Sequence, residues 1–379
     1  MLLNFGFRNF YSFREGAFVS FELDTQVPEN ISRSKNFSTI LCVKGANASG
    51  KTNILRALSF LSYFVAQSFD SSPEESIPVS PHFGSSGPID FFAEFTFNGN
   101  KYFYEVSLTK KEVLSEVLYR TKSKKIKLFE RKGEKISHSI KEFDRLKQIK
   151  IRKNASIIST AMQYGFHEVE EITKFFGRVA TNVTYTGLRA NPNTEAEISE
   201  VLHRNKTLSG FVKKFIAECD VGVSDISIHD RKEPDGTTSY YPLFHHGKKD
   251  TSHPITAIEE SSGTRSLFRS LARYKIVLDI GGVLIADEFD IHLHPHILPK
   301  ILEMFLSPAI NKKNAQLIFT THNSAILDLA GRYRTYLVEK RSNESFTYRL
   351  DEIPGDILRN DRPISPAYRD GKIGGVPRI

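Results

Sequence analysis

Cysteine is scarce: the 379-residue chain carries only Cys42 and Cys219. Two distant cysteines, one inside an apolar run, make neither a disulfide framework nor a zinc-type spacing, and they fit a reducing cytoplasm. Long apolar runs are missing too. The most apolar window, 276–286, is broken by Asp279 and too short to cross a bilayer, so no membrane role is expected. Residues 1–8 lack a basic region followed by an apolar core and do not read as a secretion signal. There is no fixed-period repeat or long heptad array, which argues against a coiled-coil arm. What remains is ordinary globular composition, 40% apolar, ample for a substantial core.

Charge is present but unevenly placed. The formal net charge is +8, and residues 122–153 hold 13 Lys/Arg against 4 Asp/Glu, which leaves the rest of the chain near neutrality. Such a block suits nucleic-acid phosphate, and it equally suits a solvated strand-and-helix surface.

The most informative stretch is 45–52, GANASGKT, which fits the phosphate-binding pattern G-x-x-x-x-G-K-S/T. It lies between an apolar run at 40–43, of the buried parallel-strand kind, and a helix with Ile54, Leu58, Leu61 and Val65 on one face. Gly45 and Gly50 permit a path that turns successive N–H groups toward an anion, and the helix N-terminus adds partial positive charge. Lys51 would reach the outer phosphates and the Thr52 hydroxyl would ligate Mg²⁺.

Around this loop the chain predicts mostly strands first and helices later. Residues 1–23 alternate as a strand pair, with Asn9, Phe10, Tyr11 and Ser12 between the two runs. A surface loop is expected at 68–89. Alternation from Ile89, the dipeptide Asn98-Gly99, and further runs at 113–119 and 125–130 predict an antiparallel meander over 89–140. A short strand is expected at 155–159, ahead of Gln163. Mostly helical structure follows over 166–220, with a connector at 187–193, and strands return near 223–229 and 239–244.

Residues 258–322 carry three more motifs. Glu260, Ser261, Ser262, Gly263 and Thr264 open a helix with the apolar face Leu267, Leu271, Tyr274 and Leu278, and with Arg265, Arg269 and Arg273 on another stripe. Its hydroxyls and free N–H groups make a second anion site. Next, an apolar strand ends in Asp287 and Glu288, a pair suited to metal-assisted phosphate chemistry, one acid near Mg²⁺ and the other polarising water. His292, His294 and His296 follow and invite a metal reading, but the Mg²⁺ site already explains the carboxylates and no zinc-type ligand set accompanies them. Last, the strand 316–320 leads to His322, at the edge where α/β sheets bind ligands.

Taken in order, 45–52, 261–264, Asp287-Glu288 and His322 resemble the Walker A, signature, Walker B and switch-histidine motifs of ABC-type ATPase heads of SMC and RecF-like proteins. Asn47 within the loop and Asn53 after it fit that branch. The phrases at 260–265, 281–288, 293–295 and 368–377 further resemble the RloA/AbiL-type ATPases of bacterial abortive-infection operons. The resemblance implies an α/β P-loop NTPase of ABC-ATPase type, with a mixed central sheet, an antiparallel β subdomain and a helical lobe. It implies one head over 1–379, divided into a nucleotide lobe at 1–165 with its meander, a helical lobe at 166–250, and a signature, Walker B and switch lobe at 251–379.

Carried over, the resemblance implies ATP and Mg²⁺ as cofactors. Gly45, Asn47, Ser49, Gly50, Lys51, Thr52 and Asn53 would bind the nucleotide, and Asp287, Thr52 and Gln163 would support the metal. Glu288 would be the general base and His322 would sense the γ-phosphate. Ser261, Ser262 and Gly263 would meet the nucleotide of a second copy, so that ATP drives a head-to-head dimer. The expected function is a cytoplasmic sensor ATPase gating a separate effector, for example a nuclease, in phage defence. Only 57 residues follow His322, fewer than an appended nuclease domain needs. The competing expectations are a RecF-like DNA-binding ATPase using the 122–153 block, and a scaffold that binds nucleotide with little turnover.

Overall fold

A computed structural model describes every residue except 185–186, 189–193, 220–221, 248–252, 292, 355–357 and 377–379. The N-terminal pair is β1 (Leu2–Arg8) and β2 (Ala17–Ser20), antiparallel with Phe5 opposite Val19. Between them Asn9 and Tyr11 take positive φ, 55° and 49°, in a tight turn closed by a bridge from Phe10 to Phe13. A single turn, α1 (Glu29–Ser32), precedes the fully buried β3 (Ile40–Gly45) and then α2 (Lys51–Gln67). Ile54, Leu55, Leu58, Phe60, Leu61 and Phe64 are all buried, covering more than one face of α2, because the helix packs against strands of two sheets.

The meander forms as β4 (Ile89–Phe97), β5 (Asn100–Leu108), β6 (Val113–Thr121), β7 (Lys125–Lys132) and β8 (Lys135–Ser139). With the first two strands it makes a seven-stranded antiparallel sheet ordered β2-β1-β4-β5-β6-β7-β8. Asn98 and Gly99 turn the first hairpin at φ 47° and 76°, the left-handed pair a two-residue loop requires.

The strand expected at 155–159 is instead the start of a helix, α3 (Ile157–Gln163). Its short apolar run suits either period, and two polar contacts decide in favour of helix. Ser156 Oγ accepts from Ser159 N at 2.9 Å as an N-cap, and the Glu116 carboxylate of β6 takes Ile157 N at 2.9 and 3.1 Å. α4 (Glu170–Phe176) follows, with Phe175 stacked on Phe95 at 4.1 Å between centroids. Next come β9 (Val179–Thr181) and the small hairpin β10 (Val183–Thr184) and β11 (Gly187–Leu188). The rest of the connector expected at 187–193 lies outside the described residues.

Further along are α5 (Glu195–Arg204), α6 (Lys206–Cys219) and three antiparallel strands, β12 (Val223–Lys232), β13 (Thr238–His246) and β14 (His253–Thr256). α7 (Ser262–Ile280) buries Leu267, Leu271, Tyr274 and Leu278, the face read from its period. β15 (Val283–Ala286), α8 (Leu298–Leu306), β16 (Gln316–Thr320), α9 (Ile326–Ala330), β17 (Thr335–Arg341), β18 (Glu344–Arg349) and α10 (Ile364–Arg369) complete the chain.

The second sheet is mixed and ordered β18-β17-β3-β16-β15-β9, all parallel except the edge strand β18. β9 falls in a stretch expected to be helical. At three residues it has no period to read, and it exists by pairing with β15. The chain divides into two compact units. One is 1–188 with 281–289 and 314–379; the other is 189–280 with 290–313. The expected lobe limits at 165 and 250 differ from these, because 166–188 includes a strand of the mixed sheet and 251–280 goes with α5 and α6.

Candidate functional site

In a parallel sheet the side chains that leave the carboxyl ends of neighbouring strands converge on one edge. Here that edge carries the 45–52 loop after β3, Asp287 and Glu288 after β15, His322 after β16 and Asn182 after β9. The loop is tightly seated. A Cβ on Gly45 would lie 2.3 Å from the Val338 carbonyl oxygen of β17, and one on Gly50, at φ 113°, would lie 2.7 Å from Ser345 Oγ. Ser345 Oγ in turn donates to Ser49 O at 2.6 Å and is hydrogen-bonded to the Ser12 hydroxyl at 2.7 Å, and Asn53 Nδ2 donates to the same Ser12 hydroxyl at 2.8 Å. Glycine is needed at both places for space, and at Gly50 for its backbone angle as well.

Lys51 Nζ donates to the carbonyls of Gly45 and Ala46, each at 3.0 Å, folding the ammonium over the loop. Ser49 Oγ is buried without a hydrogen-bond partner. A buried hydroxyl with no protein partner in a phosphate-binding loop suits a bond to a phosphate oxygen.

The two residues expected to hold the metal are in contact. Thr52 Oγ1 donates to Asp287 Oδ2 at 2.7 Å, and Thr320 Oγ1 donates to Asp287 Oδ1 at 2.5 Å. Asn182 clasps the main chain of Asp287 from β9, accepting from its N–H at 2.8 Å and donating to its carbonyl at 2.9 Å. A carboxylate oxygen and a threonine hydroxyl side by side form a hard-oxygen donor set of the type Mg²⁺ takes. Glu288 N donates to Thr320 Oγ1 at 2.8 Å, and Glu288 itself sits at φ 50°. A non-glycine residue held in the left-handed region costs about 1–3 kcal/mol, and here it turns the side chain away from the direction β15 would otherwise give it.

His322 is exposed and lines a cavity of about 1140 Å³ with the outer flank of the loop, the end of β17 and residues 368–376. Lys44, buried in β3, donates to the main-chain oxygens of Thr321 at 3.2 Å and His322 at 2.6 Å, so the loop strand and the histidine turn are tied directly. The 368–376 segment folds round Glu339, which accepts from Gly375 N at 3.2 Å and Tyr348 Oη at 2.9 Å. Burial pushes the Glu339 carboxyl up, but Arg341, Tyr348 and the Gly375 N–H outweigh it and hold the group below the usual carboxylate range.

Ser261 Oγ accepts from Thr264 N at 3.1 Å and caps the first turn of α7, while Ser261 N donates to Glu260 Oε1 at 2.6 Å. Ser261 and Ser262 are exposed and Gly263 is half-buried. Glu195 receives Arg265 at 3.0 Å and Arg269 at 2.6 Å, so two members of the arginine stripe brace α7 against α5.

Gln163 does not join the Asp287 cluster. It ends a helix instead of following a strand, and it makes none of the hydrogen bonds that link Thr52, Asp287, Asn182 and Thr320. Asn182 holds Asp287 from the adjoining strand. No local signal marked Asn182, because its role depends on β9 lying beside β15. His294 and His296 stack at 5.2 Å, His292 lies outside the described residues, and among the described residues no three His, Cys, Asp or Glu are grouped to hold a metal.

Part of the basic block is engaged within the fold. Arg131 is fully buried against Glu116 and the Ala155 carbonyl, Arg152 donates to the carbonyls of Phe69 and Ser71, Arg145 covers the Phe166 ring, and Lys127 and Lys147 pair with Glu130 and Asp144.

Residues 40–328, about three quarters of the chain, match the family described as "AAA domain, putative AbiEii toxin, Type IV TA system". The chain belongs to that AAA-domain family. The match takes in the loop, the acidic pair and His322, so this AAA domain is a P-loop ATPase. Among solved structures it is similar to the SMC head domain from Thermotoga maritima, at 14% identity and a TM-score of 0.47, over 92% of this chain and 98% of that one. No curated protein matches it. No helix among the described residues is long and apolar enough to cross a membrane.

Proposed function

We propose that this chain binds ATP with Mg²⁺, closes head-to-head with a second copy, hydrolyses the nucleotide and thereby gates a separate effector in bacterial phage defence, as the RloA/AbiL-type resemblance implies. The observation that carries the reading is the 2.7 Å bond from Thr52 to Asp287, which joins the phosphate-binding loop to the acidic strand. Mg²⁺, when bound there, supplies charge neutralisation on the phosphates. Lys51 would leave its two carbonyls for phosphate oxygens, His322 would meet the outermost phosphate, and Glu288 would take the proton of the attacking water. Support for closure comes from the exposed Ser261 and Ser262 at the start of α7, with Ile258, 87% exposed, just upstream. The words AbiEii and toxin in the family description support a defence role.

Lys51→Ala is expected to abolish ATP binding in calorimetry. Glu288→Gln is expected to keep ATP, to lose about 10²- to 10⁴-fold in turnover, and to accumulate a dimer in sedimentation. Undiminished turnover in Glu288→Gln would remove the general-base assignment, and a monomer that stays monomeric in saturating ATP would remove closure. The RecF-like reading would have to use the exposed lysines of the 122–153 block, since Arg131 is buried and Arg152 is bound to main-chain carbonyls.

A further inference from the structure

The nucleotide reading leaves open where the base of the triphosphate goes, and two hollows flank the loop. The larger runs past His322, assigned above to the outermost phosphate, and its remaining aromatic ring, Tyr368, is 8% exposed beneath Lys44 Nζ. A ring so covered offers no face to a ligand. The other, of about 430 Å³, starts at 50–53 where the N–H groups of α2 emerge, and extends to Tyr11, Arg56 and Phe83. Phe83 is 65% exposed, although most rings of this size are buried in the protein. A pocket of this volume is in the range that holds a small ligand.

Thr52 and Asp287, which would hold the metal and with it the outer phosphates, lie on the β16 and β15 flank of β3. Lys340 of β17, on the opposite flank, borders both hollows, and its ammonium lies 5.8 Å from the Phe83 ring centre.

Phe83 is also held in place, unlike a ring at the tip of a free loop. Tyr11 N donates to Ser80 O at 2.9 Å, Asn9 Nδ2 donates to the carbonyls of Gly87 and Pro88 at 2.9 Å, and His82 N donates to Asn9 Oδ1 at 3.2 Å. Ile77 and Val79, just before, are in the core. The positive-φ turn at Asn9 and Tyr11 thus anchors the segment bearing Phe83 on both sides of the ring.

We propose that Phe83 is the stacking surface for the base of the nucleoside triphosphate whose phosphates occupy the 45–52 loop. Purines, with the larger π face, are favoured. This rests on the nucleotide-binding reading, and the test separates the two by comparing ATP with inorganic triphosphate, which has phosphates but no base. Losing one base–aromatic stack lowers affinity about tenfold. Phe83→Ala is therefore expected to weaken ATP binding by about that factor and leave triphosphate binding unchanged. The chain contains no tryptophan, so Phe83→Trp makes a single indole reporter whose emission should respond to ATP and not to triphosphate. Equal loss for both probes in Phe83→Ala, no loss for either, or an indole that ignores ATP would overturn the stacking role while leaving phosphate binding standing. Wild-type protein that binds neither probe would overturn the nucleotide reading, and this proposal with it.

Discussion

Asp287 is 3% exposed, and every polar part of it is engaged: both carboxylate oxygens by threonines and both main-chain groups by Asn182. The clasp by Asn182 resembles one rung of a side-chain ladder, and it sets the direction in which the carboxylate leaves β15. Removing it leaves a buried N–H unmatched, which costs about 1–3 kcal/mol. Asn182→Ala is expected to lower the denaturation midpoint accordingly and to raise the Mg²⁺ concentration needed for half-maximal ATPase activity. A variant whose stability falls while its Mg²⁺ requirement stays put would confine Asn182 to a structural role. Glu288, one residue on, combines a left-handed backbone with a hydrogen bond from its own N–H to Thr320. The two acids therefore point differently although they are neighbours in sequence.

Among the helices, α5 and α7 are joined through a single carboxylate. Burial pushes Glu195 up, but its own helix-end N–H, Arg265 and Arg269 outweigh that and hold it below the usual carboxylate range. A depressed carboxyl stabilises the fold above its unfolded value and loses that contribution as pH falls through the folded value. The brace should thus be complete at neutral pH and fail on acidification below about pH 4.5. Amide protection in the first turns of α7, taken relative to the intrinsic exchange rate at each pH, is expected to fall over that range, and Glu195→Gln should show the lower protection already at pH 7. Protection that is flat with pH in the wild type would remove the brace.

Elements with strong local signals were legible in the sequence. The loop between β3 and α2, the Asn98-Gly99 hairpin and the buried stripe of α7 each depend on residues within one turn or one hairpin. What escaped depends on distant partners. α3 reads as a strand until Glu116 from β6 takes its first N–H, and β9 has no signal apart from β15. Ser12 and Ser345 join the site only because β18 and the 9–13 turn fold against the loop, and Lys44 because the turn after β16 lies beside β3.

On the scale of the molecule, one polar knot sits within the antiparallel sheet. Glu116 and Arg131 are both fully buried, with Tyr104 Oη donating to the carboxylate at 3.0 Å and Arg131 donating to the Ala155 carbonyl at 2.7 Å. Burial pushes the Glu116 carboxyl up against the pull of Arg131. Breaking such a pair from one side leaves an uncompensated charge and costs about 3–5 kcal/mol. Arg131→Met is expected to show that loss in urea titration, with the unfolding still cooperative. Loss of nucleic-acid binding in this variant would then report unfolding, whereas exposed Lys132 and Lys135 are the informative positions for a contact.

The order of strands in the mixed sheet bears on the birth of the protein. β3 is made early, yet both strands that flank it come from beyond residue 315, and the carbonyl that abuts Gly45 belongs to Val338. At about 5–20 residues per second, a growing chain carries the loop for many seconds before its flanking strands exist. A nascent or truncated chain would display the motif without the platform that shapes it, so competence to hold nucleotide arrives only once residues 316–341 have been made.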